Sequence, residues 1–314
     1  MRPEDTGSIR CRRPASPGYP APGRTIEGAP SHLKSDDGAS APVEGAPRSE
    51  PPRSEASRET WRASLRAGFR VVAALAGLAA AAVLALVLAS LAALVLVRVG
   101  GDLVDAAVTA SGGRLHPRRL ALRELALDVI RQILLAGLVV AAVRWRDGVD
   151  WRRTLALAPG VAPEPGLLGR RFALILLIWP LVHITWVTGS AEWLRMPVLR
   201  HGTLSPALSA GAAFAWFAHV LVLAPVAEEL LIRGALFDRM RRLISPTGTI
   251  ALTSLIFAVA HWSPAGISRP ASLIPLALML GWLRWRTGRL WPCMLLHAWS
   301  NLAMIAYVLW PASD

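Results

Sequence analysis

The segment ALSAGAAFAWFAHVLVLAPVAEELLIR, residues 207–233, sets two adjacent carboxylates and an arginine directly after a long apolar run. An ionised side chain at the centre of a bilayer costs roughly 3 kcal/mol on insertion scales. Carboxylates inside a membrane helix are therefore candidates for function rather than ordinary packing residues. The first candidate residues are accordingly Glu228, Glu229 and Arg233.

Two later apolar segments each carry a pair of residues at helical spacing. His261 follows Phe257 by four residues, and Asn301 follows His297 by four residues. Residues at i and i+4 lie on one face of a helix, so each pair faces a common point. An imidazole can coordinate a metal or share a proton, and an asparagine amide can donate to a developing oxyanion.

Composition restricts the class of protein. The chain has 314 residues, 54% of them hydrophobic, and a formal net charge of +13. Its mean hydropathy of +0.43 is too high for an ordinary soluble domain. The basic residues flank apolar runs and form no stripe with stacking aromatics, so a nucleic-acid partner is not expected. Cys11 and Cys293 imply neither a disulfide framework nor a thiolate metal site.

The chain changes character near residue 66. Residues 1–66 are rich in Pro, Ser, Gly, Arg and Glu and have almost no apolar periodicity. Such a segment buries too little surface to offset its ordering entropy, which predicts a disordered cytoplasmic tail. A partner-binding or regulatory tail is the alternative. Residues 67–314 are predicted to form a transmembrane helical domain.

Apolar segments of membrane-spanning length, about 17–25 residues, recur after the tail. They predict an all-α polytopic transmembrane bundle of about seven spans, at residues 71–97, 120–143, 172–188, 208–231, 247–262, 271–285 and 290–310. Charged residues interrupt the first half of the second segment, which leaves open an interfacial helix there. Arginines precede the first span and fill alternate loops, so the positive-inside rule predicts a cytoplasmic N-terminus, with the cell membrane as the expected location.

Depth in the membrane tests whether the polar residues can meet. If the fourth helix continues to Arg242 and the chain turns at 245–247, Glu228 and His261 each lie about 21 Å from the turn. They then stand at the same height on adjacent antiparallel helices. The fourth helix is longer than the hydrocarbon core, which predicts a kink near Pro225 or a protrusion beyond the membrane.

The spacing inside the first motif assigns roles to its members. Glu229 and Arg233 are i and i+4 on one face, with the acid first, which favours an ion pair. Glu228 points about 100° away around the helix and is left free. A partly dehydrated carboxylate suits a general base that acts on water.

The three motifs E-E-x-x-x-R, F-x-x-x-H and H-x-x-x-N, at residues 228–233, 257–261 and 297–301, resemble those of the CPBP family. That family comprises type II CAAX prenyl proteases, bacteriocin-processing or self-immunity proteins and the Abi proteins. The resemblance covers roughly residues 205–305, the expected protease-like core. It implies an intramembrane endopeptidase in which Glu228 and His261 are catalytic. Family members have been described both as metalloproteases and as metal-independent glutamate proteases.

The sequence therefore predicts an enzyme that hydrolyses a peptide bond of a membrane-associated substrate, lipidated or bacteriocin-like, with Glu228 activating water and His261 assisting. The remaining motif residues would organise the site, and the last motif would stabilise the oxyanion or hold a metal. The full candidate catalytic set is Glu228, Glu229, Arg233, His261, His297 and Asn301. The expected partners are the lipid bilayer and a peptide or protein substrate. The alternative is a non-catalytic multi-pass membrane protein, either a transporter or an immunity-type partner.

A zinc ion is the open question for this site. Glu228, His261 and His297 are its candidate ligands, since a catalytic zinc needs three protein ligands and an open position. The zincin signature H-E-x-x-H is absent, and no further carboxylate is evident to orient a ligating imidazole, so a metal-independent mechanism is preferred. His183 and His219 have no partner at motif spacing, which favours packing roles. His219 precedes Glu228 by nine residues and is predicted on the opposite helix face.

Overall fold

The computed structural model describes residues 53–110, 117–158, 165–196, 208–262 and 267–309. These residues form seven long helices and no strand, which confirms the all-α fold. Numbered in chain order, the helices are α1 (Arg53–Ala110), α2 (Pro117–Asp147), α3 (Arg170–Trp193), α4 (Ala210–Met240), α5 (Pro246–Ala260), α6 (Ser268–Thr287) and α7 (Trp291–Leu309).

Five of these helices, α1 to α4 and α7, are long and apolar enough to cross a membrane. The chain is therefore an integral multi-pass membrane protein. Helix α5 is apolar but has only 15 residues. Helix α6 has 20 residues and carries Arg269, Arg284 and Arg286. Each of the seven predicted spans thus coincides with a helix, and five of those helices meet the requirements for a span.

Helix α1 begins at Arg53 and ends at Ala110, beyond both ends of the predicted apolar span. Its first turns contain alanine, glutamate and arginine, which favour helix without being apolar. The predicted boundary of the tail at residue 66 therefore falls inside this helix. Residues 1–52, the rest of the predicted tail, lie outside the described part of the chain.

The charged first half of α2 is paired with the end of α1. Arg119 Nη1 lies 3.2 Å from Asp105 Oδ1, and Arg123 contacts both Asp105 and Asp102. These pairs explain why polar residues occur in an otherwise apolar segment. Helix α2 is continuous from Pro117 to Asp147, without a break between a charged and an apolar part.

Helix α4, which carries the first motif, is not a regular α-helix. Two π-helical turns, His219–Leu223 and Leu230–Leu236, flank the paired glutamates. Pro225 has no N–H to donate to the preceding turn, which favours the wider hydrogen-bond pattern just before it. The irregularity predicted near Pro225 thus takes the form of a π-helical turn. In the second turn, a Cβ on Gly234 would lie 3.0 Å from Leu155 Cδ2, which leaves little room for any larger residue.

The turn between α4 and α5 confirms the predicted restart at residues 245–247. Ser245 Oγ accepts a hydrogen bond from the backbone N–H of Gly248 at 3.2 Å, and Pro246 is the first residue of α5. Helices α5 and α6 then pack closely, because Gly281 lets the Ile250 side chain approach its backbone. This packing holds the second motif, on α5, against α4.

Candidate active site

Glu229 and Arg233 form a fully buried ion pair within α4. Arg233 Nη1 donates to Glu229 Oε1 at 3.2 Å, and neither side chain has any exposed surface. Arg233 Nη2 donates to the carbonyl oxygen of Ala277 on α6 at 2.9 Å, and its guanidinium carbon lies 4.5 Å from the centre of the Phe257 ring. The predicted i, i+4 ion pair is confirmed. Its further contacts connect α4 to α5 and α6.

The same glutamate orients His297 on α7. His297 Nδ1 donates to Glu229 Oε1 at 3.0 Å. A carboxylate already paired with Arg233 can only accept, so the proton of a neutral imidazole sits on Nδ1. Its Nε2 is then a bare acceptor, and this atom lies 3.9 Å from Glu228 Oε2. Glu229 thus fixes both the ring plane and the tautomer of His297.

His261, at the end of α5, is held by the backbone of its own motif. Its Nδ1 donates to the carbonyl oxygen of Phe257 at 2.8 Å, and the two rings are 4.7 Å apart. A carbonyl can only accept, so the neutral imidazole again presents a bare Nε2. This Nε2 lies 3.6 Å from Glu228 Oε2. The prediction that Glu228 and His261 stand at the same height is confirmed.

Glu228 faces a cavity of about 230 Å³ between four helices. Its Oε2 is buried and has no hydrogen-bond partner within the protein. The walls come from α1, α2, α4 and α5, and the lining residues are Leu86, Ser90, Arg131, Gln132, Leu135, Glu228, Leu231, Ile232, Phe257, Ala260 and His261. The carboxylate therefore meets a mixed polar and apolar space large enough for a short segment of peptide.

Gln132 is the site residue that the sequence did not reveal. It lies on α2, is 5% exposed, and donates from Nε2 to Glu228 Oε1 at 3.3 Å. Glu228, predicted to be free, is thus held by a hydrogen bond from another helix. The sequence feature that could have indicated Gln132 is a polar amide within an apolar span. Because Gln132 follows Arg131 and lies close to Asp128, it resembled part of a charged helix surface. The Gln132 Oε1 is buried without a partner.

Asn301 makes its hydrogen bond to the backbone of α4 and not to another candidate side chain. Its Nδ2 donates to the backbone carbonyl of Val220 on α4 at 2.9 Å, and it is not among the residues that line the cavity. The structure therefore brings together the other five candidates, Glu228, Glu229, Arg233, His261 and His297. The predicted contact of Asn301 with an oxyanion stays a prediction.

The structure also bears on the metal hypothesis and on the two histidines outside the motifs. Within the described ranges, no group of three or more His, Cys, Asp or Glu side chains is arranged so that it could hold a metal ion. Glu228, His261 and His297 thus stay ligands by prediction only. His183 and His219 are both buried, at 2% and 7% exposure, as expected for packing residues.

The fold and site define a multi-pass helical membrane protein with a buried Glu–Arg pair beside a cavity lined by Glu and His. Residues 209–303 match the family described as type II CAAX prenyl endopeptidase Rce1-like, and all three motifs lie inside this segment. The match confirms the resemblance to the CPBP family and supports a CAAX-type intramembrane protease in general. No curated protein and no solved structure matches the chain.

The buried pair predicts a difference between the two adjacent glutamates. Glu229→Gln leaves Arg233 as an uncompensated buried charge, which destabilises the fold by about 3–5 kcal/mol. Glu228→Gln removes no ion pair with Arg233 and keeps the shape of the side chain. We therefore expect a large drop in the thermal unfolding temperature of purified Glu229→Gln protein and a small one for Glu228→Gln. Equal unfolding temperatures for the two variants would contradict the assignment of the pair.

Proposed function

We propose that the protein is an intramembrane endopeptidase in which Glu228 activates a water molecule to attack a peptide bond. The observation that carries this proposal is that two acceptors converge on a third: the Nε2 atoms of His261 and His297 lie 3.6 and 3.9 Å from Glu228 Oε2. Acceptors that meet at one buried point need a group that satisfies their lone pairs, and a hydrogen-bond donor does so without a metal. A water molecule supplies two donor hydrogens, and it finds here the two to four polar partners that a buried water requires.

The reaction follows from the position of this water. Glu228 accepts one proton, and the hydroxide oxygen forms a bond to the carbonyl carbon of the scissile peptide in the cavity. His261 Nε2 accepts a hydrogen bond from the second hydrogen, which stays on the oxygen, so a lone pair of the water points towards the substrate. The carbon–nitrogen bond then breaks, and Glu228 returns its proton to the leaving amine. The products are a carboxylic acid, which keeps the second hydrogen of the water, and an amine, and Glu228 ends the cycle ionised as it began.

In this proposal Glu229 and Arg233 organise the site and do not touch the substrate. Glu229 holds His297 in the tautomer that leaves Nε2 free for the water. Gln132 holds Glu228 through one hydrogen of its amide, and its second N–H is available within the cavity for the oxyanion that forms on the substrate. In this arrangement the donor to the oxyanion is Gln132, which lines the cavity, whereas Asn301 does not line it.

The proposed substrate is a peptide or protein held at the bilayer, because the cavity opens among helices of membrane-spanning length. A lipidated CAAX peptide is the first candidate, from the description of the matched family. We further propose that α5 and α6 complete seven spans and that the N-terminus is cytoplasmic, since the arginines Arg284 and Arg286 lie together in the last turn of α6.

Substitution of Glu228 and His261 tests their proposed roles in cleavage. Purified protein in liposomes is assayed with a fluorogenic farnesylated CAAX peptide and with the same peptide lacking the lipid. We expect Glu228→Gln and His261→Ala each to lower cleavage by a factor of about 10² to 10⁴, because general-base catalysis is lost. Protein levels in the membrane should stay near those of the native chain.

Glu192→Gln is the matched control, since this carboxylate is exposed near the end of α3. It should cleave at the rate of the native protein. Retained cleavage in both Glu228→Gln and His261→Ala would refute the mechanism. Native protein that hydrolyses neither peptide, nor any other membrane-anchored peptide in a broader panel, would favour the non-catalytic alternative.

The hydrogen bond from Gln132 to Glu228 gives a prediction that does not depend on replacing Glu228 or His261. Gln132→Leu keeps the approximate volume but removes the donor to Glu228. A hydrogen bond to a charged group contributes about 1.5–3 kcal/mol, so kcat should fall by about tenfold to a hundredfold. Ser90→Ala, on the same cavity wall, should change kcat little. Equal activities of the two variants would exclude Gln132 from catalysis.

The metal requirement is tested on the same preparation. We expect chelator-treated protein, shown to be free of bound metal by elemental analysis, to keep its rate of cleavage. The reason is that, in the part of the chain that the structure describes, no group of three or more His, Cys, Asp or Glu side chains is arranged so that it could hold a metal ion. Activity that disappears with the chelator and returns only with Zn²⁺ would overturn this expectation.

A further inference from the structure

The backbone of α4 contains a carbonyl that its own helix does not satisfy. In the π-helical turn His219–Leu223, the N–H of Ala224 donates to the carbonyl of His219, five residues back. The carbonyl of Val220 therefore lacks Ala224, its usual i+4 donor. Its i+5 position is Pro225, which has no N–H. Within a bilayer helix such an unsatisfied carbonyl is strongly unfavourable.

Asn301 supplies the missing donor from another helix. Its Nδ2 donates to Val220 O at 2.9 Å, across the contact between α7 and α4. Because a carbonyl can only accept, the orientation of the Asn301 amide is fixed by this bond. The asparagine thus replaces the backbone N–H that Pro225 removes.

The π-helical turn decides which way the catalytic glutamate points. It accommodates one residue more than an α-helical turn, and one residue corresponds to about 100° of rotation around a helix. Glu228 follows this turn directly, in the segment Ala224–Glu229. If the turn relaxed to regular α-helix, everything after it would rotate relative to the rest of the bundle.

We propose that Asn301 is a positioning residue that holds the π-helical turn before Pro225 and so sets the rotation of Glu228 towards the cavity. In this role it acts through the backbone of Val220, which accepts one of its two amide hydrogens. Its effect on cleavage rests on the function proposed above, but its effect on stability does not. Measurements of stability therefore test the role of Asn301 even if the proposed peptidase activity is wrong.

A double-mutant cycle with Pro225 tests the proposal. Asn301→Leu in the native background should lower the thermal unfolding temperature by about 5 °C, as for a buried carbonyl left unpaired, and cleavage by about tenfold or more. Pro225→Ala restores a backbone N–H, so Val220 gains a donor from its own helix. In that background Asn301→Leu should lower the unfolding temperature by less than half as much.

The matched control is Pro275→Ala, which removes the interior proline of α6 and restores no donor to Val220. Asn301→Leu should keep its full penalty in that background. Asn301→Asp is a second variant that keeps the shape but loses the donor, so it should destabilise at least as much as Asn301→Leu even if Pro225→Ala folds poorly.

Two results would overturn the proposal. The first is an unfolding temperature that Asn301→Leu and Asn301→Asp leave unchanged. The second is a loss of kcat on Asn301→Leu that is equally large with and without Pro225→Ala, which is the signature of direct contact with the oxyanion. If no variant cleaves any peptide but the temperature shifts follow the cycle, Asn301 has the proposed structural effect and the proposed enzymatic function fails.

Discussion

The burial of charge at Glu229 and Arg233 is the constraint on which the rest of the structure depends. Both side chains are completely removed from the surface, and the desolvation of such a pair must be offset by its contacts with each other and with neighbouring groups. Glu229 Oε1 serves both Arg233 and His297, and Arg233 also uses the Ala277 carbonyl and the Phe257 ring. These contacts bring α4, α5, α6 and α7 to one point, so pairing the charges also assembles the four helices.

The two adjacent glutamates have different surroundings because they differ by about 100° around one helix. Glu229 faces the interior of the bundle, whereas Glu228 faces the cavity. Because the buried pair of Glu229 and Arg233 fixes this part of α4, it also fixes the direction in which Glu228 points. Phe257 serves both sides, since its ring contacts Arg233 while its carbonyl oxygen fixes the tautomer of His261. The carboxylate that we propose as the base is thereby positioned by groups to which we assign no contact with a substrate.

Sequence periodicity could predict the helices, because apolar length and charged interruptions are local properties. It could also predict the Glu229 pair, which needs only i, i+4 spacing. It missed Gln132, whose partner is on a helix distant in sequence and whose charged neighbours resembled a solvated face. It also placed His219 by counting 100° per residue, a count that does not hold across a π-helical turn. Pro225 marks this turn, but its effect depends on whether another helix supplies a donor, which the local sequence does not specify.

The second π-helical turn repeats the arrangement of the first. The N–H of Phe237 donates to Ile232 and Gly234 and passes over Arg233, whose carbonyl accepts from Arg284 Nε at 2.8 Å. Each irregular turn of α4 therefore depends on a side chain from a helix that is synthesised later. A chain still emerging from the ribosome has α4 in the membrane without these donors. Both irregular turns, and with them the orientation of Glu228, are consequently stabilised only once α6 and α7 have been inserted beside α4.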